Sequence, residues 1–146
     1  MSGRAGVPAD VRAVNERVVA RFRAGGEVEG MHRARLLLLT TTGRRSGVPR
    51  TTPMMFHRDG DRVLVIASAA GAPRHPDWYL NLVADPAVTV EVGDEGGAPR
   101  PATATPLEGT ERERLWAELT AAYPFFADHE ARAAGRTIPV VALTPR

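Results

Sequence analysis

The chain has 146 residues, which fits one domain, and its 43% hydrophobic and 25% charged content is typical of a soluble globular protein. It contains no cysteine, which excludes disulfides, thiol chemistry and thiolate-bound metals. All 19 basic residues are arginine, so any anion site must use guanidinium groups. The net charge of only +2 and the 5% aromatic content argue against a nucleic-acid-binding face.

The first predicted element is a helix in the segment VRAVNERVVARFRA, which a glycine pair ends. Its apolar side chains recur at helical spacing with arginines opposite, and they are Val11, Val14, Val18, Val19 and Phe22. We assign residues 1–30 to this amphipathic helix and a linker, and residues 31–146 to the main domain. The sequence leaves open whether the helix packs on that domain or touches an anionic membrane surface.

The N-terminal segment lacks the apolar core of a signal peptide. The longest aliphatic run, Leu36 to Leu39, is too short to span a bilayer. We therefore expect a cytoplasmic protein, whose first helix is the candidate for any contact with the inner face of the membrane.

Short apolar or alternating runs then predict about six strands, mostly in antiparallel hairpin order. RLLLLTT precedes TTPMMFH, and Asp59-Gly60 is a strong hairpin signal ahead of VLVIAS. DWYLNLVAD predicts a short helix capped by Asp77, and a capping box from Thr110 to Glu113 predicts another. AVTVEVG, PATATPL and TIPVVALTP are the remaining strands. We predict an α+β fold in which a small, mainly β barrel carries flanking helices.

Three arginines stand in the stretch TTTGRRSGVPRTTP, directly after the first apolar run. Arg44, Arg45 and Arg50 can present forked donors that match phosphate, and Ser46 adds a hydroxyl beside glycines that allow a tight backbone. Arginines at a hairpin tip are also commonly just solvated. The stretch therefore predicts either an anion site or a charged turn.

The stretch ASAAGAPRHPDWYLNL places small residues after a strand, where they allow a ligand to approach the backbone closely. Ser68 and Asn81 are its candidate polar contacts, with local hydrogen bonding as the alternative for both. Trp78 is more typical of a core residue.

In AAYPFFADHEA, Pro124 interrupts a helix, and Tyr123, Phe125 and Phe126 either wall a pocket or belong to the core. The four histidines show no metal-ligand spacing, no serine has a hydrolase signature, and no carboxylate pair is evident. If the protein is an enzyme, we therefore expect a bound cofactor, and no metal, to carry the chemistry.

Together, the blocks G-R-R-S-G, A-S-x-x-G and P-x-W-Y-x-N-L, followed by AAYP and RTIPVVALTP, resemble the deazaflavin-dependent nitroreductase family. The resemblance implies a split β-barrel, related to flavin-binding pyridoxamine phosphate oxidases, and dependence on coenzyme F-420. It extends from about Leu36 to the C-terminus. The family includes quinone reductases.

The resemblance also implies roles for individual residues. The arginine-rich stretch would hold the phosphate and oligoglutamate tail of the coenzyme, and the next strand would run along the deazaflavin ring. The implied coenzyme-binding residues are Arg44, Arg45, Ser46, Arg50, Pro53, Met54, Met55, Phe56, Ser68, Ala69, Gly71, Arg74, Trp78, Tyr79 and Asn81. Tyr123, Phe125 and Phe126 would line the substrate pocket, and Tyr123, Ser68 or His129 would supply a proton.

The resulting hypothesis is an oxidoreductase that transfers a hydride from reduced F-420 to a small planar acceptor. Ala69 stands where the family pattern often has a lysine, a contact to the coenzyme tail that Arg74 would replace. Phe126 and His129 stand where one member has two further tyrosines, and the phenol missing at Phe126 argues against nitro compounds, so quinones are the favoured class. The alternatives are an oxidoreductase that uses flavin mononucleotide on the same barrel and a non-catalytic deazaflavin carrier. Related oxidases pair as dimers, so a homodimer is a further expectation.

Overall fold

The computed structural model describes residues 9–28 and 32–146. The predicted boundary between residues 30 and 31 and the segment before residue 9 lie outside them. The described helices are α1 (Ala9–Arg23), α2 (Asp77–Ala84), α3 (Gly109–Ala122) and α4 (Phe125–Arg132). The described strands are β1 (Leu36–Thr42), β2 (Pro49–Met55), β3 (His57–Asp59), β4 (Arg62–Ile66), β5 (Ala87–Val92), β6 (Pro99–Pro106) and β7 (Val140–Pro145). Single turns of 3-10 helix lie at Arg33–Arg35, Ala69–Gly71 and Gly93–Glu95.

All strand pairs are antiparallel, and the sheet runs in the order β2-β1-β5-β6-β7-β4-β3. Its two outer strands, β2 and β3, are separated in the chain by Phe56 alone. The sheet therefore curls until its first and last strands meet end to end, which confirms the predicted barrel and α+β class. TTPMMFH, expected as one strand, is divided at Phe56 because Met55 pairs with β1 and His57 with β4; the described strands consequently number seven rather than six.

Sequence alternation explains how the barrel buries both faces of its walls. Leu36–Leu39 is buried throughout because Leu37 and Leu39 join the interior cluster with Val65, while the other two leucines pack outside against Phe22 of α1. The predicted hairpin is also confirmed, since Asp59 pairs with Arg62 across the turn that joins β3 to β4.

A third cluster lies on the outer face of the sheet, under α3 and α4. Trp116, Leu119 and Phe126 pack there against Leu64 of β4 and Val140 of β7. This packing fixes α4 beside the end of β4, where the candidate site lies.

The first helix packs on the barrel through its last turns. Phe22 is buried, and Arg23 donates from two guanidinium nitrogens to the carboxylate of buried Glu91, at 2.9 and 3.0 Å. Val11 and Val14, in the first turns, are 43% and 45% exposed. Docking on the main domain, one of the two alternatives from the sequence, thus occurs at the C-terminal end of the helix.

Both predicted helix caps are wrong. Asp77 does not cap α2, because its carboxylate accepts a hydrogen bond from Arg44 instead. The capping box also fails, because α3 already begins at Gly109 and Glu113 binds Arg112 rather than the first turn. A distant arginine therefore replaces the local cap at α2, whereas α3 begins ahead of its predicted cap.

Candidate active site

The turn between β1 and β2, together with the residues beside it (residues 42–50, the arginine loop), is closed by its own hydrogen bonds. The Gly43 amide donates to the Val48 carbonyl at 2.9 Å, and the Gly47 amide donates to the Gly43 carbonyl at 2.8 Å. Ser46 Oγ accepts from the Val48 amide at 3.1 Å. The turn itself is therefore closed by backbone groups and Ser46, before any arginine side chain is counted.

Arg44 is the arginine that ties this loop to α2. Its Nη1 donates to Asn81 Oδ1 at 2.9 Å, its backbone amide donates to the same oxygen at 3.2 Å, and its Nη2 donates to Asp77 at 3.2 Å. The buried Asn81 in turn donates to Thr41 Oγ1 at 3.2 Å. Two predicted site residues, Arg44 and Asn81, thus meet, and their contact joins β1, the arginine loop and α2.

Three other predicted arginines present free guanidinium groups. Arg45, Arg50 and Arg74 are exposed, and their side chains make no hydrogen bond or ion pair with any residue in 9–28 and 32–146. Arg50 pairs through its backbone with Thr41, the same threonine that Asn81 contacts. These groups keep their full donor capacity for an anion.

The strand after the arginine loop has a free backbone edge. β2 pairs with β1 on one side and has no second strand partner among the described residues. Pro53 lies in this strand, Met54 packs toward the interior cluster and Met55 toward the cluster under α3 and α4. The buried Phe56 follows the strand. A flat ligand can therefore use backbone groups along Pro53–Met55.

The segment from β4 to α2 (residues 67–76, the serine loop) has an unusual backbone. Ala69, Ala70 and Gly71 have φ values of 49°, 54° and 84°, in the left-handed region that alanine rarely adopts. A Cβ at Gly71 would lie 2.8 Å from the carbonyl oxygen of His129, so only glycine fits against α4. Strain of this kind persists where neighbouring contacts hold it, and it often marks a ligand site.

Arg136, which sequence reasoning did not select, holds the serine loop in this shape. Its guanidinium donates to the carbonyls of Ala67, Ser68 and Ala72 at 3.1, 2.7 and 3.0 Å, and Nη1 lies 3.1 Å from His75 Nδ1. Burial lowers the pKa of Arg136, and burial together with the Arg136 charge lowers the pKa of His75. The available signal was the position of Arg136 at the start of the RTIPVVALTP block.

Two of the three predicted proton donors meet at the end of β4. Ser68 is buried, and its Oγ lies 3.1 Å from His129 Nδ1. Burial, followed by the charge of Arg132, lowers the pKa of His129, which favours the neutral ring. Phe125 contacts the His129 ring with centroids 5.6 Å apart. The predicted aromatic wall thus lies beside the serine and the histidine.

The third predicted donor, Tyr123, contacts two residues that the sequence did not single out. The Tyr123 hydroxyl lies 3.2 Å from His57 Nδ1, and His57 Nε2 lies 3.1 Å from Glu118 Oε2. The Tyr123 ring is 6.0 Å from that of Phe126, which is itself buried. His57 ends the run TTPMMFH, and only the joining of β2 to β3 brings it beside α3.

The remaining predicted residues have structural contacts. Trp78 and Tyr79 are half-buried and pack against the interior cluster, as the core interpretation of Trp78 expected. Tyr79 also contacts the His75 ring at 4.8 Å between centroids. Ala69 and Gly71 contribute through the backbone of the serine loop.

Residues 9–28 and 32–146 contain no group of three His, Asp or Glu side chains arranged to hold a metal ion. None of the helices described in those ranges combines the length and the apolar content required to cross a membrane.

The curled antiparallel sheet and its flanking helices define the class of the protein, a split barrel of the flavin-reductase type. A pyridoxamine 5'-phosphate oxidase-like protein from Listeria innocua shares the fold at 16% identity and a TM-score of 0.53, over 90% of this chain and 92% of its own. An F420-H2 dependent reductase, FDR-A, matches at 39% identity and a TM-score of 0.64, over 75% of this chain and 93% of its own.

The family model of the F420H(2)-dependent quinone reductases matches residues 11–145, and the chain belongs to that family. An F420H(2)-dependent quinone reductase of Mycobacterium tuberculosis strain H37Rv is 40% identical over 113 residues, which cover 75% of this chain and 73% of the relative. The match confirms the predicted resemblance, the enzyme class and the coenzyme. It also begins within α1, well before Leu36, where the resemblance in the sequence began.

Proposed function

We propose that this protein is a quinone reductase that uses reduced coenzyme F-420. The observation that carries the proposal is the contrast among the four site arginines: Arg44 is bound to Asn81 and Asp77, while Arg45, Arg50 and Arg74 have no partner in the described residues. Exposed guanidinium groups beside a fixed loop suit a polyanionic ligand.

The residues present fit the coenzyme. Arg45, Arg50 and Arg74 hold its phosphate and oligoglutamate tail by charge, while Arg44 and Ser46 fix the loop that presents them. The free backbone edge at Pro53–Met55 supports the ring system. The charges are exposed, so binding weakens as salt screens them.

When bound, the reduced coenzyme supplies a hydride to the acceptor. The serine loop and Ser68 position the ring, and the strained backbone is held for this purpose by Arg136 and Gly71. The exposed Phe125 flanks the acceptor and excludes water, and the buried Phe126 supports its ring from behind.

Reduction of a quinone also needs a proton at the acceptor oxygen, and this chain offers three donors. Tyr123 is the favoured donor because a phenol is a far stronger acid than the aliphatic hydroxyl of Ser68, and its hydroxyl is hydrogen-bonded to His57. Ser68 and His129 form a separate pair, and the lowered pKa of His129 makes that ring a better hydrogen-bond acceptor than acid near neutral pH.

We also propose a homodimer, since a solved structure described as a domain-swapped dimer matches this chain at 35% identity and a TM-score of 0.67, over 92% of this chain and 99% of its own. We propose that the protein acts in the cytoplasm.

Contact of α1 with the inner face of the membrane is a separate proposal, based on the exposed Val11 and Val14. It predicts binding to anionic vesicles that is lost when both valines are replaced by serine.

The test of the proposed function is a fluorescence titration with F-420 and, in parallel, flavin mononucleotide. The wild type, the double variant R45Q/R50Q and the control R114Q are compared. Arg114 is also an exposed arginine, and it lies on α3, outside the arginine loop. We expect selective F-420 binding that weakens about 10- to 100-fold in the double variant and stays unchanged in R114Q.

Reduction of a soluble quinone by the F-420-loaded enzyme is then followed spectroscopically. A preference for flavin mononucleotide would overturn the coenzyme assignment. Tight F-420 binding without quinone-dependent oxidation would make the protein a carrier. If R45Q/R50Q and the wild type have equal affinity for F-420, the arginine loop does not bind the tail of the coenzyme.

A further inference from the structure

We propose that His57 and Glu118 form a proton relay that returns a proton to the Tyr123 phenolate after each turnover. They are thus positioning and proton-supplying residues of the acceptor site. The inference rests on the proposed function, because it needs Tyr123 as the proton donor. It is carried by a continuous line of polar contacts that runs from the Tyr123 phenol to a solvent-exposed carboxylate.

The geometry links three separate parts of the chain. His57 opens β3, Glu118 lies on the last turns of α3, and Tyr123 lies between α3 and α4. The Tyr123 hydroxyl is 3.2 Å from Nδ1 of the imidazole, and Glu118 Oε2 is 3.1 Å from Nε2. Both ring nitrogens are therefore occupied, and the ring can pass a proton only between these two partners or to water.

The line of contacts ends in solvent at the Glu118 carboxylate. Tyr123 packs in the aromatic cluster with Phe126, the His57 side chain is 21% exposed, and the Glu118 side chain is 52% exposed. The half-buried Tyr123 ring packs against aromatic neighbours, so its phenolate regains a proton fastest through a hydrogen-bonded partner that water reaches. The imidazole and the carboxylate provide that contact with water.

Other charged groups near His57 are already paired. On its own strand, Arg58 binds Asp94 and Glu95, and Asp59 binds Arg62. The residue opposite His57 on β4 is the apolar Leu64. Glu118 and Tyr123 are thus the titratable groups that face the ring from the elements packed against it.

The proton transfer conserves atoms and charge. A hydride adds to the quinone and leaves an anionic oxygen, the Tyr123 O–H bond breaks and its proton neutralises that oxygen, and the phenolate takes the proton from His57 Nδ1. The ring keeps its Nε2 proton, hydrogen-bonded to the Glu118 carboxylate. The part-exposed ring then turns its bare Nδ1 to solvent, takes up one proton and returns to Tyr123, so each turnover consumes one hydride and one proton from solvent.

The experiment uses the full chain with F-420 bound and compares H57N, H57F and E118Q with the control E130Q, an exposed glutamate on α4 outside this line. The asparagine side chain of H57N places an amide near the position of Nδ1 and keeps the contact to Tyr123, but it cannot relay a proton. We expect kcat to fall about 10- to 100-fold in H57N and H57F and less in E118Q. KM for the quinone and Kd for F-420 should stay within about twofold.

Two further readouts separate a relay from a structural role. Added imidazole should restore part of kcat in H57G and leave the wild type unchanged. In the unliganded protein, proton NMR should show a hydrogen-bonded imidazole proton that H57F and E118Q lose and E130Q keeps.

Each outcome decides the proposal. Equal kcat in H57N and the wild type overturns the relay, as does a parallel loss of F-420 affinity that imidazole does not rescue. If the wild type binds no F-420 or reduces no quinone, the proposed function fails and the relay fails with it. If the wild type is active but the NMR proton is absent, the relay alone is wrong.

Discussion

The arginine loop and the serine loop use the same chemical group in opposite ways. In the serine loop, the Arg136 guanidinium is fully committed to backbone carbonyls and His75, and it holds a strained backbone in one shape. In the arginine loop, the backbone closes by itself, and Arg45 and Arg50 have no partner in the described chain. A partnered guanidinium builds a site, whereas an unpartnered one is available to a ligand.

This comparison predicts different costs for removing each kind of arginine. In the arginine loop, R45Q/R50Q should change binding and leave folding intact. Removal of the Arg136 guanidinium, which holds the serine loop from outside it, should instead lower the stability of the fold.

The largest expected effect on stability is from Arg136→Met. The variant removes the donors of three backbone carbonyls in one step, and we expect about 3 kcal/mol less free energy of unfolding. Urea unfolding followed by circular dichroism measures it, with Arg136→Lys as the intermediate case. If Arg136→Met and R45Q/R50Q have equal free energies of unfolding, the partnered and the unpartnered arginines do not differ in their effect on stability.

The next effect is from Gly71→Ala. The added Cβ would lie 2.7 Å from Arg132 Cβ and 2.8 Å from the His129 carbonyl oxygen, at a φ of 84°. We expect about 2 kcal/mol of destabilisation and weaker F-420 binding. Gly60→Ala is the matched control: it has a φ of 66° with nothing within 4 Å, so strain alone should cost about 1 kcal/mol and leave binding unchanged. Equal effects at both glycines would show that the contact with α4 is unimportant.

The smallest effect is a pH dependence confined to the serine-loop side. Folding lowers the pKa of His75 and His129, so the unfolded chain binds more protons as pH falls below about 6.5. Stability from these two rings is therefore complete above that pH and is lost as pH falls toward their folded values. The melting temperature should decline between about pH 7 and 5.5 in the wild type and less in H75N/H129N. An identical decline in both proteins would assign it to other groups.

The sequence predicted most of the fold because local patterns specify most of it. Apolar alternation located the strands, and Asp59-Gly60 located a hairpin. It failed where a distant partner decided the outcome, as when Arg44 took Asp77 away from its helix end. It also missed the break at Phe56, because the two halves of that strand pair with different neighbours.

The residues of the candidate site also fall into those that the sequence predicted and those that it missed. Arginines, serine and aromatic residues in short blocks were found from their composition and their resemblance to a family. Arg136, His57 and Glu118 were not, because each acts on residues more than 60 positions away, at separations of 61 to 69. Only the closed sheet brings them together.

The position of β7 has a consequence for how the chain matures. This strand is made after the other six, yet it lies between β6 and β4 near the middle of the sheet. During synthesis, the earlier strands can form hairpins, but the edges of β4 and β6 stay unpaired until β7 arrives. Such edges are prone to pairing with other chains. Nascent chains of this protein should therefore depend on prompt pairing of β7 with both of these edges, or on a chaperone, to avoid aggregation.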